Sequence, residues 1–257
     1  MEIKSKIWYS FLGGKSEDDA IGLYDNSNFS WVKLLEDNFE VIKGEIAHYI
    51  EINEREIKPY FNNDLVTKVK SWKTFAFFFW TWSVNSNIKQ CPKTNEILQQ
   101  IPNIVSASVS ILEPGVQIKK HRGDTNAIVR SHLALVAPVG LPDCGFEVNE
   151  QKIEWKEGEV FIFNDAAKHT AWNHSDKRRY VLLIDVMRTE YVHKKYTVCS
   201  MVLGGLVMQA IFQKTPILKK FPRFIKYIIL YSHVILINLV LRIRNCFNFY
   251  TCDPLRC

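Results

Sequence analysis

Cysteine pairs at metal-binding spacing are missing from this chain. Its six cysteines (Cys91, Cys144, Cys199, Cys246, Cys252, Cys257) form no CxxC pair, which excludes a zinc framework. A glycine-rich loop between strand and helix is also missing, as is βαβ alternation, and the Rossmann and P-loop classes go with them. There is no internal repeat and no low-complexity segment. The N-terminal MEIKSKIWYSFLGG lacks the apolar run of about 7–15 residues of a secretory signal. A cytoplasmic, reducing setting with free thiols is therefore expected. Cys257 is the final residue, so no C-a-a-X lipidation box fits the terminus.

Acidic residues are scarce in one region only. The chain holds 33 Lys and Arg against 27 Asp and Glu, a net charge of +6. From Arg188 onward there are 11 basic and 2 acidic residues, a net of +9. Residues 1–187 carry 22 basic against 25 acidic, a net of −3. The basicity belongs to the tail, and no basic-aromatic nucleic-acid motif accompanies it, so no nucleic-acid partner is expected. With 257 residues, 47% hydrophobic and 23% charged, the chain can bury a core, which excludes disordered and fibrous classes. One substantial domain plus an appendage is the expectation.

Residues 29–53 place Trp31, Leu34, Leu35, Phe39, Ile42, Ile46 and Ile50 three or four apart, the spacing of an amphipathic helix with Ser30 as its cap. TFAFFFWTW (74–82) is apolar enough for a buried strand. PKTNEILQQI reads as a short helix with Pro92 in its first turn and Leu98 and Ile101 inward. Strand-like segments then recur at 104–112, 116–121, 127–138, 145–149, 152–155, 159–164, 169–173 and 179–186, separated by turn signals such as Glu113-Pro114-Gly115 and Lys156-Glu157-Gly158. This pattern predicts a mainly β fold with flanking helices, an antiparallel sandwich or barrel of jelly-roll type. The expected organisation is an N-terminal helical segment (1–70), a core (71–188) and a basic, apolar helical tail (189–257).

In the tail, 201–212 and 227–241 are apolar runs of 12 and 15 residues, each shorter than the roughly 20 a spanning helix needs. Flanked by basic residues, they fit helices lying in a membrane interface through 199–244. They fit equally a pair of helices packed on the domain or on a second copy. His233 and Asn238 argue against a span.

Three histidines fall among the strands: His121, His132 and His169. Two that converge inside a barrel can hold a divalent metal, most often with a carboxylate as H-x-D…H. Here the triplet is His121-Arg122-Gly123, so spacing alone leaves metal ligands and buried structural histidines both open. Arg179, inside an apolar strand, requires an anionic partner, from the protein or from a ligand.

WKTF (72–75), CPKTNEILQQIP (91–102), SILEPGVQIKKHRGDTN (110–126), RSHLAL (130–135), CGFEVN (144–149), WKEGEVFIFND (155–165), KHTAWN (168–173) and RYVLLIDV (179–186) occur in order. Together they resemble the aspartyl/asparaginyl β-hydroxylase family of iron(II)- and 2-oxoglutarate-dependent oxygenases. GLYDNSNFSW (22–31) extends the likeness. The resemblance implies a double-stranded β-helix, cupin-like, and a hydroxylase that uses O2 and releases succinate and CO2. It implies His121 and His169 as iron ligands, with Gly123 where the third, carboxylate ligand would stand. Asp124, next door, is not taken as a ligand. Arg179 matches the position for the distal carboxylate of 2-oxoglutarate, and Ser110 the hydroxyl that assists it. Arg130 and His132 match positions at the metal-proximal end of that cosubstrate, and Trp72 an aromatic wall. The substrates it implies are an Asp or Asn β-carbon in a peptide or small molecule, or a lipid acyl chain as in lipid A hydroxylases. A non-catalytic cupin-like binding protein is the alternative from another class.

Overall fold

The computed structural model describes residues 6–251, with the side chains of 219 and 245–251 left aside. Cys252 and Cys257 lie outside the described residues. Eleven strands form two antiparallel sheets. They are β1 (Leu23–Tyr24), β2 (Trp72–Phe79), β3 (Trp82–Ser83), β4 (Ile104–Leu112), β5 (Val116–His121), β6 (Ile128–Val136), β7 (Cys144–Val148), β8 (Gln151–Ile153), β9 (Val160–Phe163), β10 (His169–Asn173) and β11 (Arg179–Met187). The larger sheet runs β1-β9-β6-β11-β4-β2-β3 and the smaller β5-β10-β7-β8. This is the expected jelly-roll arrangement, mainly β, with helices outside it.

The period-2 alternation of the long strands decides what each face does. On β11, Tyr180, Leu182 and Ile184 face the helices, while Val181 and Leu183 face the smaller sheet. On β4, Val109 and Ile111 go outward and Leu112 inward. Both faces are covered, so these strands read as nearly continuous apolar runs. The outer face carries α1 (Trp31–Asp37), α2 (Phe39–Asn53), α3 (Asn85–Gln90) and α4 (Pro92–Leu98). Leu35, Ile42 and Ile46 are almost fully buried against it.

Local differences from expectation have plain causes. The 29–53 helix is broken at Asn38, whose side-chain amide bonds back to the Leu34 carbonyl at 2.8 Å. Ser30 makes no side-chain cap; its backbone is already helical, which turns the hydroxyl away from the first amides. The aromatic run splits into β2 and β3 because Trp80 and Thr81 adopt positive φ. Pro92 does open α4, and Leu98 and Ile101 are buried. Cys91, Cys144 and Cys199 are free, buried thiols.

The tail helices are longer than its apolar runs. They are α5 (Lys195–Lys214) and α6 (Arg223–Thr251), and Thr189–Lys214 and Arg223–Arg244 are each long and apolar enough to cross a membrane. α5 packs on the β core, its Val198, Cys199 and Val202 joining Trp80, Val105, Ile128 and Met187. α6 folds back on α5 through Leu230, Val234 and Leu241.

Ile46 is 1% exposed between α2 and the sheet. Ile46→Ala is expected to cost about 2–5 kcal/mol, and replacing the exposed neighbour His48 with Ala less than about 0.5 kcal/mol. Urea titration of the two variants checks this; equal midpoints would show that α2 does not brace the sheet.

Candidate active site

His121 ends β5 and His169 opens β10, and the two are direct cross-strand partners in the smaller sheet. Their ring centroids are 4.3 Å apart. The carbonyl of Lys119 lies 2.8 Å from His121 Nδ1, and that of Ala167 lies 2.8 Å from His169 Nδ1. A carbonyl only accepts, so each Nδ1 carries the proton and each Nε2 keeps its lone pair for the pocket. Burial is the main cause that pushes His121 down to about 4 and His169 well below its ordinary value. Both imidazoles are therefore neutral at pH 7, the form that binds a metal.

The facing wall comes from the larger sheet, where alternation turns Ser110, Arg130, His132 and Arg179 inward. All seven residues singled out in the sequence, Trp72 among them, line one narrow pocket with about 50 Å³ of free volume. Trp72 Nε1 donates to Ser110 Oγ at 3.0 Å, which fixes both side chains. His132 sits among Phe146, Trp155, Phe161 and Phe163. Its Nδ1 is buried without a partner, and burial holds its pKa well below the ordinary value.

Arg179 is 2% exposed, and its Nε and Nη1 have no hydrogen-bond partner. Its guanidinium lies over the Trp155 ring at 4.2 Å. Burial lowers its pKa to about 10, so it stays charged at neutral pH. A buried cation with unused donors is costly unless an anion meets it. The arginine thus keeps two donor nitrogens that no protein anion meets among the described residues.

Arg130 is the opposite case. Its Nε and Nη2 bond both oxygens of Asp185 at 2.6 and 2.9 Å, and its Nη1 bonds Asp165 at 2.7 Å. Asp165 was not singled out in the sequence, and it explains the glycine. A Cβ on Gly123 would overlap the Asp165 carboxylate. The Gly123 amide donates to the Asp165 carbonyl at 2.7 Å, and the Asp124 amide to Asp165 Oδ2 at 3.1 Å. Asp165 Oδ1 lies 4.0 Å from His169 Nε2. The space beside Gly123 is thus filled by a carboxylate from a different turn. A carboxylate four residues before His169 was the signal available in the sequence. Tyr60, also not singled out, stacks on Trp72 at 4.1 Å.

Among the described residues no group of three or more His, Cys, Asp or Glu is arranged to hold a metal. The donor set is two neutral imidazoles beside one buried carboxylate, which suits a divalent iron with positions left for other ligands. The orphaned guanidinium suits the distal carboxylate of a dicarboxylic acid. Iron and 2-oxoglutarate thus fit the residues present.

Gly123→Ala is expected to push Asp165 off Arg130 and the Asp124 amide. Disrupting a buried charge pair costs about 3–5 kcal/mol, readable as a lowered urea midpoint; an unchanged midpoint would mean that the turn yields freely. Acid should test the buried rings. Below about 6.5, the ordinary value for histidine, the unfolded chain binds protons that buried His132 refuses, so its contribution to stability falls with pH. Burial raises Asp124 to about 6 and Asp165 to about 7, which acts in the opposite direction, so the comparison must be made against a variant. The melting temperature of metal-free His132→Phe relative to wild type should rise between pH about 7.5 and about 5. Parallel curves would show that His132 is not held neutral.

Comparison with known proteins gives the family. The aspartyl/asparaginyl beta-hydroxylase family profile matches residues 36–189. The ornithine lipid ester-linked acyl 2-hydroxylase of Rhizobium tropici is 35% identical over 172 residues, covering 65% of this chain and 60% of that protein. Aspartate beta-hydroxylase domain-containing protein 2 of Mus musculus is 32% identical, covering 60% of this chain and 47% of that protein. The aspartyl/asparaginyl beta-hydroxylase of Homo sapiens is 27% identical, covering 62% of this chain and 21% of that protein. The chain thus spans 60% or less of the length of these relatives. Among solved structures, a Pseudomonas putida prolyl-4-hydroxylase is similar at 12% identity and a TM-score of 0.39, covering 62% of this chain and 98% of that one. With the profile running from the end of α1 through the last core strand, more than half of the sequence, the chain belongs to the aspartyl/asparaginyl β-hydroxylase family.

Proposed function

We propose that this chain is an iron(II)- and 2-oxoglutarate-dependent hydroxylase acting on the acyl chain of a lipid. The observation that carries the cofactor reading is Arg179, a buried guanidinium with two unpartnered nitrogens in the pocket of two neutral histidines. His121 and His169 would hold the iron through Nε2. Arg179 would take the distal carboxylate of 2-oxoglutarate, helped by the Ser110 hydroxyl that Trp72 orients. When bound, iron with 2-oxoglutarate and O2 supplies the oxidising power to hydroxylate an unactivated C–H bond, with succinate and CO2 as co-products.

The chain's own residues do the rest. The two backbone carbonyls hold the imidazole tautomers and ring directions. Asp165, anchored by Arg130, sets a buried carboxyl group beside the metal position, and Phe146, Phe163 and Ile118 line the same pocket. His132 and Arg130 line the metal-proximal side of the pocket. A non-catalytic binding protein has no need of this combination.

The lipid reading rests on two supports: the likeness to the Rhizobium tropici acyl 2-hydroxylase and the apolar, basic tail helices. The second reading is an Asp or Asn β-carbon, favoured by the family profile. Residues 1–70 and 189–257 would then be supports of a core at 71–188 in either case. We place the protein in the cytoplasm, at the membrane surface.

The test is succinate release from 2-oxoglutarate with iron(II) and ascorbate, supplied with detergent-dispersed lipids or with Asp- and Asn-containing peptides. Wild type is expected to turn over with lipid, and His169→Ala to lose turnover. Arg179→Met should raise the KM for 2-oxoglutarate by about 100-fold, the scale of removing one partner of a desolvated charge pair. Turnover equal in wild type and His169→Ala would sink the enzyme reading, and turnover with peptides alone would move the substrate to the second reading.

A further inference from the structure

A second cavity, of about 620 Å³, lies outside the β core. One wall is the segment Ser10–Leu12; the others are the end of α5 and the start of α6. Its lining is mixed, with Phe11, Met208, Phe212 and Leu230 supplying the apolar part and Arg223 and Lys226 the charge. The Lys226 ammonium lies 6.0 Å from the Phe212 ring centroid, so cation and apolar wall meet in one place. No reaction step assigned above uses this cavity.

The helix that bounds it also presents an apolar face that is exposed among the described residues. Phe224, Ile228, Tyr231, Ile235 and Leu239 follow one another at three or four residues along α6, and Ile228 and Ile235 are 65% and 69% exposed. Between residues 191 and 252 there are nine Lys and Arg and no Asp or Glu. Such a surface repels its own copy and attracts an anionic one. A stripe of this kind, basic at its ends, suits a helix lying in the headgroup layer.

A span does not suit the packing. α5 is held against the β core by Val198, Cys199 and Val202. α6 is held against α5 by Gly204, which Val234 approaches closely, and by a 2.9 Å hydrogen bond from Asn238 to Ser200. The outer face of α6 is left exposed among the described residues.

We propose that the cavity between residues 10–12 and the α5/α6 hairpin binds an anionic membrane lipid, headgroup on Arg223 and Lys226 and upper chain on Phe11, Met208 and Phe212, with α6 lying in the bilayer surface. The site is separate from the pocket around His121 and His169 and stands whichever substrate that pocket takes.

Full-length protein is sedimented with vesicles of phosphatidylcholine alone or containing a third phosphatidylglycerol. Wild type should pellet with the anionic vesicles and poorly with the neutral ones, less so as salt is raised. A basic residue near an anionic surface is worth about 1 kcal/mol, so the double variant Arg223→Glu, Lys226→Glu should bind at least about tenfold more weakly. Arg223→Lys should bind as wild type does. Ile235→Asp should lower binding to both vesicle types. Each variant is compared at an unchanged melting temperature, since these side chains stand outside the packed core. Equal partition into the two vesicle types, or an unaltered double variant, overturns the proposal. So does a dimer in sedimentation velocity that Ile235→Asp converts to monomer, because the face then belongs to a second copy. No turnover enters the measurement, so its failure would remove the tail helices as a support for a lipid substrate and leave the iron and 2-oxoglutarate chemistry, carried by Arg179 and the two histidines, untouched.

Discussion

The carboxylate of Asp165 has no solvent contact and must be satisfied from inside the protein. Arg130 gives it one guanidinium nitrogen and gives two to Asp185, while the Asp124 amide reaches its other oxygen. Arg130 and Asp185 are register partners on β6 and β11, so the network is built on the two central strands of the larger sheet. It extends across the barrel to the turn after β5 and to the start of β10, the two places that hold His121 and His169. The distance between the histidines is thereby tied to the interior of the sheet opposite. Removing Arg130 would leave two buried carboxylates without their cation, which is why the network works as a whole or not at all.

Two arginines on the same inward face of one sheet show how the interior divides its labour. Arg130 has its three nitrogens bonded to protein carboxylates. Arg179 has two without a partner, and the Trp155 ring below it supplies only a cation–π contact. The first is a structural tie that positions Asp165. The second is a buried cation with donors left over, which is costly unless an anion meets it. Neutral histidines complete the contrast, since each Nδ1 is held by a backbone carbonyl and each Nε2 keeps its lone pair.

The strand pattern was open to reading because the core strands are buried on both faces and bounded by Gly and Pro turns; β4, β5 and β10 fall on the expected residues. Pairing was less open. That His121 and His169 stand opposite each other follows from the register of β5 with β10, a long-range fact no local pattern encodes. Gly123 was legible as an oddity, but its reason was not, because the group that needs the space arrives from residue 165. The tail helices outrun the apolar runs because a helix does not need apolar residues to continue: α5 begins at Lys195, before the 201–212 run, and α6 passes through Arg242 and Arg244. The packing reading of the tail holds, since α5 packs on the core and α6 on α5, while among the described residues the outer face of α6 is exposed.

Small residues make the tail and the catalytic turn one mechanical piece. Gly205 lets the Phe11 ring sit directly on α5; a Cβ there would overlap it. The chain just before Phe11 is bound to the turn that carries Gly123. Ser10 N donates to the Asp124 carbonyl at 3.0 Å, Thr125 Oγ1 donates to the Trp8 carbonyl at 2.7 Å, and Trp8 N donates to Asn126 Oδ1 at 2.8 Å. Tyr9 and Thr125 form a β-bridge as well. The segment from Trp8 to Phe11 is thus clamped at one end to the hairpin and at the other to the residues beside His121. A displacement of α5 against the core has to strain those hydrogen bonds or move the turn, and moving the turn brings Gly123 against Asp165. The hairpin is thus joined to the turn after β5 by contacts running through Trp8 to Phe11, and a Cβ at either Gly205 or Gly123 would overlap a neighbouring side chain.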